Sequence, residues 1–203
     1  VSAKPEHEEQ IKAAWEARSW DRAATLAIEA YGAELMSYLA ALLHSASDAD
    51  DVFGVVSEQL WRSLPGFRWE SSFRTYAYTV ARHAWLQHLR DPRNRRRAEP
   101  LSSPSVEAVV AQVRTRTATY LRTETKDTIA KLRAQLDPDD QTLLILRINR
   151  KLAWREIATI MAEDGADLSS GAIDRRAAAL RKRFERLKAE LRARAGQRQT
   201  PPK

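Results

Sequence analysis

An all-α chain is predicted, two small helical units joined by a tether, and three observations predict it. Apolar residues recur at three- and four-residue spacing, and no segment alternates with period two. Only six glycines interrupt the 203 residues, too few for a loop-rich or all-β chain. Charge divides the sequence in two. Residues 1–90 hold nine Lys/Arg against twelve Asp/Glu, a net −3, whereas residues 91–203 hold twenty-five against fifteen, a net +10. Such asymmetry points to two units with different electrostatic tasks.

The elements follow in order. Ile11 to Ala30 and Ala33 to Leu43 read as amphipathic helices. Asp48, Asp50 and Asp51 open a third helix, where acids favour the positive end of the helix dipole; a Mg²⁺ site is the weaker reading of the same cluster. Val52, Val56, Leu60 and Leu64 then recur every four residues, with Phe53 and Trp61 widening the stripe. Pro65-Gly66 ends that helix, and Ser71 or Ser72 can cap the next. Phe73, Ala77, Val80 and Ala84 form its apolar face. Arg74, Tyr78, Arg82 and Trp85 lie about 100–180° around the helix from Phe73. This second face has two readings. One is a surface for single-stranded nucleic acid, with guanidinium groups on phosphates and rings stacked on bases. The other is burial on two sides in a small bundle.

Arg90 to Arg97 is a basic run containing Pro92, and two prolines and three serines between Glu99 and Ser105 cannot sustain a helix. Leu136-Asp137-Pro138-Asp139-Asp140 marks a new helix start, with proline in the first turn. Leu152 to Met161, a turn at Gly165 and the Arg-rich stretch from Leu168 to Arg176 give a helix, a turn and a serine-capped helix. That is the helix-turn-helix pattern, though an α-hairpin with a solvated basic face would read alike. Ile173, Leu180, Phe184, Leu187 and Leu191 continue at helical spacing. The expected organisation is a helical domain at 8–92, a tether with partial helix at 93–125, a helix-turn-helix domain at 126–194, and a disordered tail at 195–203.

Composition excludes several function classes. The net charge of +7 and a pI near 9.9 favour a polyanionic partner. The absence of cysteine excludes a disulfide scaffold, a thiolate metal site and a cysteine nucleophile. No uncharged apolar run approaches the roughly 18 residues that span a bilayer. The polar, acidic start at Val1–Glu9 is no signal peptide, so the cytoplasm is the expected location. His7, His44, His83 and His88 form no metal-ligand pair, and no phosphate loop or nucleophile motif is present. No catalytic residue, metal or cofactor is expected.

In combination, these motifs resemble a known family. Asp48-Ala49-Asp50-Asp51-Val52, Gln59 to Arg68, Glu70 to Thr75 and Val80 to His83 resemble region two of bacterial RNA polymerase sigma factors, most of all the small extracytoplasmic-function group of the sigma-70 family. Leu136 to Gln141, Leu144 to Arg147, Glu156 to Ala158 and Ser169 to Arg176 resemble region four. The resemblance covers roughly residues 10–92 and 126–192, and its first motif set is the more specific.

The resemblance implies a non-enzymatic initiation factor whose partners are the β and β′ subunits of polymerase core and promoter DNA. An anti-sigma factor is a further partner it admits, and membrane insertion is not expected. Region two would bind β′ through Asp48, Asp50, Asp51, Glu58 and Gln59. It would capture unpaired minus-ten bases through Arg68, Trp69, Ser71, Ser72, Arg74, Tyr78, Arg82, His83 and Trp85. Region four would bind the β flap and read the duplex minus-thirty-five element through Ser169, Ser170, Ala172, Arg175 and Arg176, while the tether threads toward the active-site cleft.

The chain departs from the family at Gly54-Val55, where Gln-Glu is usual, and at Trp69 and His83, where Gly and Asn are common. Ala153 replaces a serine cap, and the turn from Ala162 to Asp167 is long. Asp174, inside the reading helix, is a candidate acceptor for a cytosine amino group. A stand-alone helix-turn-helix regulator is the alternative function, and a helical adaptor that never touches DNA is a third.

Overall fold

The computed structural model describes residues 5–90, 103–124, 135–163 and 165–197. The chain is all-α, and no strand occurs among the described residues. It divides into two units, Val1–Asp127 and Thr128–Lys203.

Unit one is built around α2 (Trp20–Leu43), against which α1 (Pro5–Glu16), α3 (Ala46–Ser63), α4 (Phe73–Arg90) and α5 (Pro104–Glu124) all pack. α2 is long and apolar enough to cross a membrane by length and composition. Here it is the core helix, with Ile28, Leu35, Tyr38 and Leu39 at most 1% exposed. The sequence suggests a break near Gly32. The chain instead breaks after α1, where Arg18 adopts φ 55°, and α2 runs unbroken through Gly32. Glycine serves packing at this position. A Cβ there would lie 3.0 Å from Val113 Cγ2 of α5, tighter than two carbons pack comfortably.

Local chemistry sets the helix ends. His44 closes α2 in the left-handed region, its N–H donating to the Ala40 carbonyl at 3.1 Å. Ser45 caps α3 by accepting from the Asp48 N–H at 3.2 Å. Pro65 follows in a 3-10 turn, Leu64–Gly66, because it cannot continue the α-helical hydrogen bonding.

α5 is the helical part expected within the tether, and it packs into unit one. Val106, Val109, Val110, Val113 and Thr117 are buried, an i, i+3, i+4, i+7, i+11 stripe laid on α2 and α3. Arg114 on its flank pairs with Asp50 of α3, Nε to Oδ1 at 2.9 Å, and donates to the Asp50 carbonyl at 3.1 Å. The second half of the segment read as a tether is therefore a fifth helix of unit one. Its proline- and serine-rich start, up to Ser102, lies outside the described residues.

Unit two contains α6 (Pro138–Leu144), which runs into a π-helical turn at Ile145–Asn149, then α7 (Trp154–Ile160) and α8 (Ser170–Gln197). α6 and α7 both pack on α8. Leu143, Ile145, Leu146, Ile157 and Ile160 are fully buried, and Ile173, Leu180, Phe184 and Leu187 close the core from α8. Asp137 caps α6 by accepting from the Asp139 N–H at 2.9 Å. Ala153 brings no side-chain acceptor to the start of α7. The reciprocal half of the cap survives, since Glu156 Oε2 accepts the Ala153 N–H at 2.7 Å. In the long turn, Gly165 takes φ 76°, a conformation that glycine adopts without a Cβ penalty. Of the expected tail, the backbone is described only to Gln197.

Candidate functional site

α4 is the element on which the sequence reading turns, and it is buried on two sides, by α2 and by α3. Phe73 and Ala77 are fully buried and Ala84 is 4% exposed, as expected of the first apolar face, while Val80 is half-buried. The second face is buried as well. Arg74, Tyr78, Arg82 and Trp85 are 1%, 0%, 7% and 1% exposed. The expectation of an exposed basic-aromatic face made of these four residues is corrected to two-sided burial.

The physical reason is a set of acids distant in sequence. Glu34 of α2 accepts from Arg74 Nε at 3.0 Å, from Arg74 Nη2 at 2.8 Å and from the Tyr78 hydroxyl at 3.2 Å, all on Oε2. Glu8 of α1 accepts the Phe73 N–H at 2.7 Å and the Arg74 N–H at 3.0 Å, capping α4 from another helix. The Tyr31 hydroxyl donates to the same carboxylate at 2.6 Å. Burial, with Glu8 beside it, holds the Tyr31 phenol neutral far above its usual range. The Tyr78 ring packs edge-on against Tyr38 with centroids 5.2 Å apart.

What α4 leaves open is the opposite side. Thr79, Val80 and His83 are half-buried and Gln87 is exposed, all within about 60° of the meridian through Tyr76. Tyr76 itself is pinned, stacked on Phe67 at 4.6 Å with its hydroxyl donating to Ser63 Oγ at 2.5 Å. The loop leading into α4 adjoins this side. Arg68 is exposed. Trp69 is half-buried with φ 57°, a conformation that costs an L-residue roughly 1–2 kcal/mol. The ring is held among Trp15 at 6.1 Å, Phe67 at 5.0 Å and Phe73 at 6.5 Å, with Lys12 Nζ 5.9 Å from its centroid. Ser71 and Ser72 are half-buried. Ser72 is the cap of α4, accepting the Thr75 N–H at 3.1 Å, and the Ser71 hydroxyl donates to the Ser72 carbonyl at 3.2 Å. Of the residues assigned to unpaired bases, Arg68, Trp69, Ser71 and His83 thus keep solvent access at or near one side of the unit, and Ser72 is committed to the helix start.

The acids assigned to polymerase lie along α3. Asp51 is exposed, and Asp48, Glu58 and Gln59 are half-buried. Glu58 pairs with Arg62 at 3.0 Å, and Asp50 is the partner of Arg114. Gly54 of the family departure is buried and Val55 half-buried.

In unit two, Ser169, Ser170 and Arg175 are exposed at the start of α8. Arg175 folds back over Gly171, its Nη1 lying 3.5 Å from where a Cβ would stand. Arg176 is half-buried. Ala172 is 9% exposed and faces the unit's own core, so its assignment to DNA is corrected; it shares the buried stripe with Ile173 and Ala177. Asp174 is engaged through one oxygen: its Oδ1 is paired with Arg155 of α7, which also donates to Ser170 Oγ at 3.0 Å, and its side chain stays 56% exposed. Asp167 accepts the Ser169 N–H at 2.8 Å and the Ser169 hydroxyl at 2.9 Å. Those bonds, the backbone one foremost, lower its pKa, with Arg175 and Arg176 adding to the effect. The guanidinium groups of Arg147 and Arg181 lie 4.8 and 5.6 Å from the Trp154 ring centroid.

Sequence reasoning missed Glu8, Glu34 and Arg114 as organisers. Their partners lie 23 to 66 residues away, beyond any local spacing rule. The α5 stripe was visible as Val106, Val109, Val110 and Val113, but the neighbouring prolines and serines masked it.

Comparison with known proteins matches residues 27–96 to the family described as sigma-70 region 2. An RNA polymerase sigma-H factor of Pseudomonas aeruginosa is 28% identical over 145 residues, covering 69% of this chain and 75% of the relative. RNA polymerase sigma factor YlaC of Bacillus subtilis is 28% identical over 132 residues, covering 64% of this chain and 75% of the relative.

Proposed function

We propose that this chain is a sigma factor of the sigma-70 family, an RNA polymerase-binding transcription initiation factor, and that its two units divide that role. Unit one grips polymerase core through the acidic start of α3, with Asp48, Asp51 and Gln59 as its accessible contacts. The open side of α4 and the loop before it receive the unpaired strand of the minus-ten element. Arg68 neutralises phosphate there, and Trp69, Ser71, Thr79, Val80, His83 and Gln87 face the bases. Unit two reads the minus-thirty-five duplex with the start of α8, through Ser169, Ser170, Arg175 and Arg176. This division places a domain boundary after α5. The work consists of binding and strand separation, so no catalytic residue, cofactor or metal is assigned.

The observation that carries this reading is the position of the region 2 match. Residues 27–96 include both the acidic start of α3 and the open side of α4, which a duplex-only regulator does not need. A cytoplasmic location goes with the role, beside polymerase and DNA. Membrane insertion has no part in it, since α2 is the core helix of unit one. An anti-sigma factor would act by covering the α3 acids.

The test uses holoenzyme reconstituted with Arg68→Ala, His83→Ala and the double variant. Polymerase binding is expected to persist while permanganate-reactive thymines near the start site diminish, and a pre-melted template should restore transcription. Wild-type reactivity in the double variant would show the strand-binding face to be misassigned.

A further inference from the structure

α8 is 28 residues long, about 42 Å, far more than a reading helix needs to present its first turns to a groove. Several of its charged groups are paired. The acids are each engaged: Asp174 with Arg155, Glu185 with Lys188 at 2.8 Å, and Glu190 with Arg194. Arg183 is engaged as well, held by Asp140 at 2.5 Å and Asp137 at 3.2 Å.

Arg175, Lys182 and Arg186, three of the remaining cations, share one side. All three are exposed, and none forms an ion pair among the described residues. At about 100° per residue they fall within about 20° of one line along the helix, spread over about 16 Å. Between and beyond them on that side stand Ala178, Ala179 and Ala189, also exposed. The side is therefore low in relief, carries cations at turn-like intervals, and keeps the paired acids at its edges. A polyanion with regularly spaced charges can approach such a side closely, and its condensed counterions supply the driving force when cations replace them.

We propose that the exposed side of α8 carrying Arg175, Lys182 and Arg186 is a DNA-backbone surface. At Lys182 and Arg186 it holds duplex phosphates without reading sequence, and it extends the contact of unit two beyond the first turns of the helix. The inference rests on the reading of unit two as the duplex-binding unit. Lys182 and Arg186 are the new members, and their task is positioning: backbone contacts fix the register in which the base-reading residues act.

The test is the salt dependence of duplex binding by the full chain, measured by anisotropy on a labelled duplex of unrelated sequence between 50 and 200 mM salt. Two lost phosphate contacts reduce the slope of log K against log salt by about 2, so affinity falls about tenfold less across that range. Lys182→Ala with Arg186→Ala should show that change, with the same loss on a minus-thirty-five duplex. Lys182→Glu with Arg186→Glu should reduce binding further, and both variants should retain wild-type helix content. Wild-type slope and affinity in the alanine double variant would overturn the surface while leaving the duplex-reading role intact. A wild-type chain without salt-dependent duplex binding would overturn both.

Discussion

Arg74 donates through both Nε and Nη2 to a single oxygen of Glu34, at 3.0 and 2.8 Å, with its side chain only 2% exposed. This pair fixes α4 to α2. The Tyr78 hydroxyl joins the same oxygen, and the guanidinium carbon lies 5.5 Å from the Tyr78 ring centroid. A charge this buried needs its partner. Removing one member of a buried pair costs about 3–5 kcal/mol, and the lower end applies because Glu34 keeps some contact with water. Glu34→Ala should therefore lower the stability of unit one by about 3 kcal/mol in chemical denaturation. An effect below about 1 kcal/mol, the usual size for a surface pair, would show that the pair is not the anchor described.

Trp85 and Tyr78 give the sharpest contrast with an exposed stacking face. Large-to-small changes of buried aromatics cost about 3–5 kcal/mol. Trp85→Ala and Tyr78→Ala should lose helix signal and melting temperature, and a pre-melted promoter template should rescue neither. Variants of wild-type stability that fail only at DNA melting would return these rings to the DNA surface.

α5 supplies a third expectation. Gly32→Leu would drive a branched side chain into Val113, where even a Cβ is at 3.0 Å. The variant should release α5 and make the chain around Arg114 sensitive to protease, and signals from unit two should stay unchanged. Protection equal to wild type would mean that α5 is not held by this contact.

The acid at the turn before α8 carries a pH signature. Asp167 has a lowered pKa in the folded chain, so its bonds to Ser169 contribute above the usual aspartate range. They are lost only as pH falls through the depressed value. The Ser169 amide resonance should titrate with a midpoint below about 3.9, the ordinary aspartate value. A midpoint at or above that value would remove Asp167 as the acceptor of the Ser169 bonds.

The fold class was legible because periodicity and caps are local. The stripe at Val52, Val56 and Leu60, the proline stop at Pro65 and the start at Asp137-Pro138 all appear where spacing placed them. The role of α4 was not legible in the same way. A helix buried by two neighbours carries two apolar-competent faces, and spacing cannot tell a guanidinium bound to Glu34 from one awaiting phosphate. That decision depends on Glu8 and Glu34, which meet α4 only after the chain folds. Ala172 failed for a related reason: the unit-two core that it joins is set by how α7 packs on α8.

The central claim is that this chain turns polymerase core into a promoter-opening enzyme. Run-off transcription on genomic promoter fragments tests it most directly, with purified core polymerase in the presence and absence of the chain. Discrete transcripts that require both components are predicted. The chain alone should bind the same fragments weakly, since polymerase presents both units at high effective concentration. Tight, sequence-specific binding by the chain alone, with no transcript above core polymerase, would contradict the claim.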